Sequence, residues 1–291
     1  MSQAGAGPAG AAVPEAAVPE AAVPDAANGA GAGGGAATAG LAGPEDRSAP
    51  GGVDDEVDGT RLHGPGGLGG LKFPSVELHQ SHPGDKVICD LIRQHPGEVD
   101  IVVLGPLTVL ARAIDRDAEL PHLVHRFICM GGAWHEPGNA GAVAEFHFFC
   151  DPLAARQVLN CKASITLVPL DVSRKLLFSP TDLLNLPAPE TPTCKFLRQI
   201  VPFGIGTTSN LYGIEGFHLK DVLGVAAAAI PGVISTRSLI VDVETRGELT
   251  RGMSVVDLRT NLSARPNVDL AVSVDVQGVR DYIRRVLEGK N

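Results

Sequence analysis

Glu145 stands between Ala144 and Phe146 in the stretch FICMGGAWHEPGNAGAVAEFHFFCDP, residues 127–152. A surface loop can hold a glutamate without consequence, but apolar neighbours on both sides turn this one inward. Burying a carboxylate is costly unless hydrogen-bond donors or a counter-charge meet it. Glu145 therefore either snorkels to water or holds something. Asn139, six residues earlier, follows a glycine in a usual turn setting, and His147 comes two residues later. Which reading holds depends on the elements that position the loop.

Those elements are legible as alternating segments. DKVICDLIRQH (85–95) spaces Val87, Ile88, Leu91 and Ile92 along one helical face. VDIVVL (99–104) is a mostly β-branched run, suited to a strand buried on both faces. Gly105-Pro106 turns the chain into LTVLARAIDRD, a predicted helix, and RFICM (126–130) is the next strand. Asp151-Pro152 opens another helix, with an acid at the N-cap and proline at the first helical position. SITLVPL (164–170) is a third strand, with Asp171 just beyond its carboxyl end. This alternation predicts parallel βαβ units with right-handed crossovers, hence an α/β, Rossmann-like, mostly parallel sheet with flanking helices. Further on, TCKFLRQIV (193–201) and DVLGVAAAAI (221–230) predict helices and residues 238–257 a hairpin. NVDLAVSVD (267–275) predicts a strand, followed by a terminal helix. Ligands in such sheets collect beyond the carboxyl ends of the strands. The loops that matter start at Leu104, Met130 and Leu170, and Glu145 lies on the second.

Composition narrows the function classes. Residues 1–61 are almost wholly Ala, Gly, Pro, Val and acid, and include the tandem repeat AAVPE-AAVPE-AAVPD. That segment buries too little to offset its ordering entropy and is read as disordered, leaving 62–291 as one domain. A formal net charge of −9 argues against nucleic acid or an anionic membrane as partner. No run approaches the length of a membrane helix, and no secretory signal opens the chain. Five cysteines without CxxC spacing fit reduced thiols in a cytoplasm, Cys129 and Cys150 as core residues.

Taken in order, LHGPGGLGG (62–70), VVLGPLTVLA (102–111), MGGAWHEPGNAGAVAEFHFFCDPLAA (130–155) and FHLKDVLGVAAA (217–228) resemble the inosine-uridine preferring nucleoside hydrolase family. The resemblance implies cleavage of the N-glycosidic bond of purine or pyrimidine ribonucleosides to ribose and free base. It also implies one calcium ion per site and assembly into a homodimer or tetramer. A hard cation with oxygen ligands would hold water and the ribose diol together. Carried over by position, Asn139 and Glu145 match ribose-hydroxyl ligands, and His147 stands where the family has a further one. His63 matches the histidine of a glycine-rich loop near the ribose. Asp221 and the backbone carbonyl of Leu104 match calcium ligands.

The chain also departs from the family pattern. The family's strand and DxDxxxDD loop, which supply the general base and two calcium carboxylates, have no counterpart in these motifs; VDDEVDGT (53–60) reads as a solvated linker. GPLTN ends here in Val109, AEFN in His147, and the loop aspartate is Gly66. Lys220 occupies the position of the family's general-acid histidine. A lysine is a poor acid near neutrality unless desolvated. His218, nearby, is expected to face elsewhere. These departures imply weakened calcium binding, an unidentified catalytic base and a sheet lacking one central strand. They set beside the hydrolase a ribose- or nucleoside-binding relative without turnover, a subunit-type relative, and a truncated reading frame.

Overall fold

The computed structural model describes residues 60–73, 82–187, 191–259 and 264–290. The head read as disordered and the acidic run at 53–59 lie outside the described residues, except that α1 (Thr60–His63) takes in the last two residues of the head. A 3-10 turn at Pro65–Gly67 leads to α2 (Gly84–Gln94), β1 (Asp100–Val103), α3 (Thr108–Arg116), α4 (Leu120–Leu123) and β2 (Arg126–Met130). A long loop then reaches α5 (Phe146–Cys150), α6 (Pro152–Leu159), β3 (Ile165–Val168) and α7 (Leu170–Ser173). A small hairpin layer is made by β4 (Leu177–Phe178) and β5 (Phe217–His218), with α8 (Pro180–Leu184) and α9 (Pro192–Tyr212) between them. The chain closes with α10 (Lys220–Ala229), β6 (Ile234–Val243), β7 (Ser254–Asp257), β8 (Val268–Val274) and α11 (Val276–Leu287).

The main sheet runs β1-β2-β3-β8-β6-β7. Its first four strands are parallel, and β6 and β7 return antiparallel at the far side. Strand alternation divides the core into two layers. Phe127 and Cys129 join Leu167, Leu270 and the apolar faces of α2, α3 and α6. Ile128 points the other way, into a cluster with Val168, Ala271, Leu223 and Val279. Asp151 caps α6 by accepting from the Ala154 N–H at 3.0 Å, with Pro152 at the first helical position, as the sequence predicts.

Three expectations need correction. β1, read as buried on both faces, is an edge strand with all four residues half-buried, because it pairs with β2 alone among the described residues. The helix read at 193–201 runs on through Pro202 to Tyr212, where Gly213 in a left-handed conformation ends it. Cys150 is half-buried rather than core, while Cys129 is fully buried; all five thiols are free.

Asn267 shows how side chains extend the frame. Its Oδ1 accepts from the Val241 N–H at 2.9 Å, and its amide donates to the carbonyls of Val241 at 2.8 Å and Leu159 at 3.0 Å. One side chain thus continues the β6 ladder and ties it to the end of α6. Asn267→Ala leaves three main-chain groups in want of partners and is expected to lower unfolding free energy by about 2 kcal/mol. Urea denaturation reads this directly; a loss under about 0.5 kcal/mol would mean that water replaces the amide without cost.

Candidate active site

The loop after β2 is held from several sides. Met130 is the last strand residue, and Gly131 and Gly132 follow it in close contact with Phe148. A methyl group on Gly131 would lie 2.6 Å from the Phe148 ring. The Gly132 N–H donates to Glu145 Oε2 at 3.2 Å, and the Ala133 N–H to Ser254 Oγ at 3.2 Å. Three successive N–H groups, those of Trp134, His135 and Glu136, then donate to the Asp171 carboxylate at 3.1, 2.9 and 3.3 Å. Arg174 adds an ion pair to Glu136 at 3.0 Å and donates to the Gly138 carbonyl at 3.1 Å. Position beyond the β3 end was the sequence signal for Asp171; Arg174 and Ser254 gave none.

Glu145 is 1% exposed, so it does not snorkel. It is the N-cap of α5, and Oε2 accepts from the N–H groups of His147 at 2.9 Å and Phe148 at 3.3 Å besides that of Gly132. Three donors offset the burial of one oxygen. Oε1 is left facing the His147 ring, 3.8 Å from Nδ1. That Nδ1 lies 3.1 Å from the Met130 carbonyl and donates to it, which leaves Nε2 of a neutral ring as an acceptor. Asn139 is exposed; its Oδ1 accepts from the Phe146 N–H at 2.8 Å, so its amide N–H groups remain for a ligand. Glu145, His147 and Asn139 are thus brought to one end of α5.

Lys220 opens α10. Burial pushes its ammonium below the ordinary lysine value; the Glu145 carboxylate opposes that shift and the Arg174 guanidinium adds to it. Lys220 therefore belongs electrostatically to the Glu145 group. His218 lies in the same field rather than elsewhere: burial, then Lys220, holds its imidazole below the usual histidine value, and its buried Nδ1 has no hydrogen-bond partner.

The two predicted calcium ligands share a neighbourhood without forming a cage. Asp221 is exposed in the first turn of α10, and Leu104 packs against Gly224 one turn on, where a methyl group would lie 2.9 Å from Leu104 Cδ2. Calcium takes six to eight oxygens. Among the described residues no group of three or more histidine, cysteine, aspartate or glutamate side chains could hold a metal ion. One carboxylate and one carbonyl do not fit that ion. His63 is exposed at the end of α1, and Gly64 and Gly69 of the loop that follows pack on Phe203 of α9. No described contact joins its side chain to the Glu145 group.

The sequence model of the inosine-uridine preferring nucleoside hydrolases matches residues 32–281. The chain belongs to that family. It is 31% identical over 234 residues to uridine nucleosidase 1 of Arabidopsis thaliana, covering 78% of this chain and 69% of that one. With the inosine-uridine preferring nucleoside hydrolase of Leishmania major it shares 32% over 220 residues, or 74% and 69% of the two chains. Among solved structures, a purine-preferring ribonucleoside hydrolase from Gardnerella vaginalis superposes with a TM-score of 0.74 at 26% identity, covering 79% and 73%. This nucleoside hydrolase-like chain thus spans about 70% of the length of these relatives. Its mostly parallel sheet is that of the family structures, and hydrolysis of N-glycosidic bonds is what the family does.

Proposed function

We propose that this chain takes a purine or pyrimidine ribonucleoside at the end of α5 and hydrolyses it to ribose and free base. The observation that carries the reading is Glu145, buried yet with one oxygen uncommitted and with His147 and Asn139 beside it. Oε1 and the His147 Nε2 accept from two ribose hydroxyls, and the Asn139 amide donates to a third oxygen, so the sugar reacts in one pose. Lys220, made more acidic by burial, gives its proton to the departing base. The domain is 62–291, with His63 on the side of the sugar and a cytoplasmic dimer or tetramer as the working form. Five free cysteines support that compartment.

A second reading, binding without turnover, is favoured by one observation: among the described residues no group of three or more histidine, cysteine, aspartate or glutamate side chains could hold a metal ion to position and activate the attacking water. The test combines calorimetric titration of the full chain with inosine or uridine and an assay for released reducing sugar, with and without a chelator. Lys220→His, which places the family's residue, is expected to raise turnover about tenfold with affinity little changed. Binding with no release by either chain would select the second reading. No heat of binding at all would sink both.

A further inference from the structure

A single peptide plane leads into Asn139, and both of its polar atoms are held. The Gly138 carbonyl accepts from Arg174 Nη2 at 3.1 Å, and the Asn139 N–H donates to the Ala144 carbonyl at 3.0 Å. A peptide fastened at both atoms does not turn over, although the glycine on one side of it would otherwise make that rotation cheap. The two fastenings differ in origin. Ala144 belongs to the same turn, in which the Gly138 N–H donates to the Ala142 carbonyl at 3.0 Å and the Ala140 N–H to that of Ala144 at 3.2 Å. Ala144 is buried and bridges Met253, ahead of β7. Arg174 comes from another quarter, the C-cap of α7 beyond β3.

Asp171 stops short of this peptide, because the N–H groups it collects end at Glu136. Arg174 spans the remainder: Nη1 meets Glu136 Oε2 at 3.0 Å while Nη2 takes the Gly138 carbonyl. A planar guanidinium fixes the angle between two such contacts, which a lysine does not. The ion pair itself is of the kind that contributes little, since the Glu136 side chain is 46% exposed. The carbonyl contact is therefore what distinguishes this arginine. Beyond the peptide, Asn139 Oδ1 accepts from the Phe146 N–H at 2.8 Å. With main chain and side chain of Asn139 both set, the direction of its amide N–H groups follows.

We propose that Arg174 is a positioning residue for ribonucleoside recognition, acting through the Gly138–Asn139 peptide to aim the Asn139 amide. It touches no ligand itself. The inference rests on the role proposed above for Asn139 and adds the residue that sets it. Without the guanidinium the Gly138 carbonyl turns to water and the peptide rotates. The Asn139 donor then loses its aim, while Glu145 and His147 keep theirs, held by the start of α5, Gly132 and the Met130 carbonyl.

Calorimetric titration of the full chain with inosine, run as a double-mutant cycle, tests this. Arg174→Met and Asn139→Ala are each expected to raise the dissociation constant about tenfold, the loss of one hydrogen bond to the ligand. Together they should add no more than about twofold to Asn139→Ala alone, because the two changes remove the same contact. Glu136→Gln breaks the ion pair, leaves the carbonyl contact, and should bind within about twofold of the natural chain. Arg174→Lys keeps the charge and stands in should Arg174→Met not fold, with the same non-additivity expected. A loss of equal size in both backgrounds would overturn the inference, since Arg174 would then act other than through Asn139. So would a loss matched by Glu136→Gln, or unchanged binding by Arg174→Met. If Asn139→Ala binds as the natural chain does, the role of Asn139 falls and this inference with it. No heat from the natural chain would overturn the ribonucleoside site altogether.

Discussion

Glu145→Ala is expected to lower unfolding free energy by about 3–5 kcal/mol and to abolish ribonucleoside binding. The fold loses the helix cap that the His147 and Phe148 N–H groups make with this side chain, worth up to about 2 kcal/mol. It also strands the N–H of Gly132, at about 1–3 kcal/mol when buried without an acceptor. Glu145→Gln separates the two consequences. Its amide oxygen can take over all three N–H groups, so stability should stay within about 1 kcal/mol of the natural chain. The charge that faces His147 and Lys220 is gone, however, and affinity for a ribonucleoside is expected to fall ten- to a hundredfold. Thermal unfolding and calorimetric titration of both variants check this. Equal affinity for the glutamine variant would mean that Glu145 is only a cap.

The second large effect is expected at Gly138, the residue before Asn139. A methyl group there would fall on the carbonyl oxygens of Ala144 and Gly141 and on the Ala144 nitrogen. All three are main-chain atoms of the same loop, so no side-chain rotation relieves the clash. Gly138→Ala should therefore cost about 1–3 kcal/mol of stability. It should also spread the loop in which Asn139 N–H meets the Ala144 carbonyl at 3.0 Å and Asn139 Oδ1 meets Phe146 N–H. Ribonucleoside affinity should fall with it, at least tenfold, although Gly138 touches no ligand. A stable variant that binds normally would mean that the Asn139 amide is not a ligand.

The sequence disclosed most where local chemistry and tertiary structure agree. The Asp151-Pro152 start of α6 could be read in advance because a cap and a proline act within one turn. The inward turn of Glu145 was legible from its two apolar neighbours. Its three N–H partners were not, since Gly132 is brought to it only by the path of β2 into the loop. β1 shows the converse: a β-branched run announces a strand, but whether a second neighbour lies beside it depends on the rest of the chain. Pro202 inside α9 likewise runs against the local rule that proline ends a helix. Lys220 and His218 share surroundings because β5 leads straight into α10, which the residue types alone do not say.

The clamp that Asp171, Arg174 and Ser254 place on residues 133–138 bears on the timing of recognition. A loop fastened at five main-chain points has already given up its conformational entropy before a ligand arrives. Encounter then needs no slow ordering step, and ribosides that differ only in their bases should enter at similar rates. Discrimination among them falls to how long each one stays.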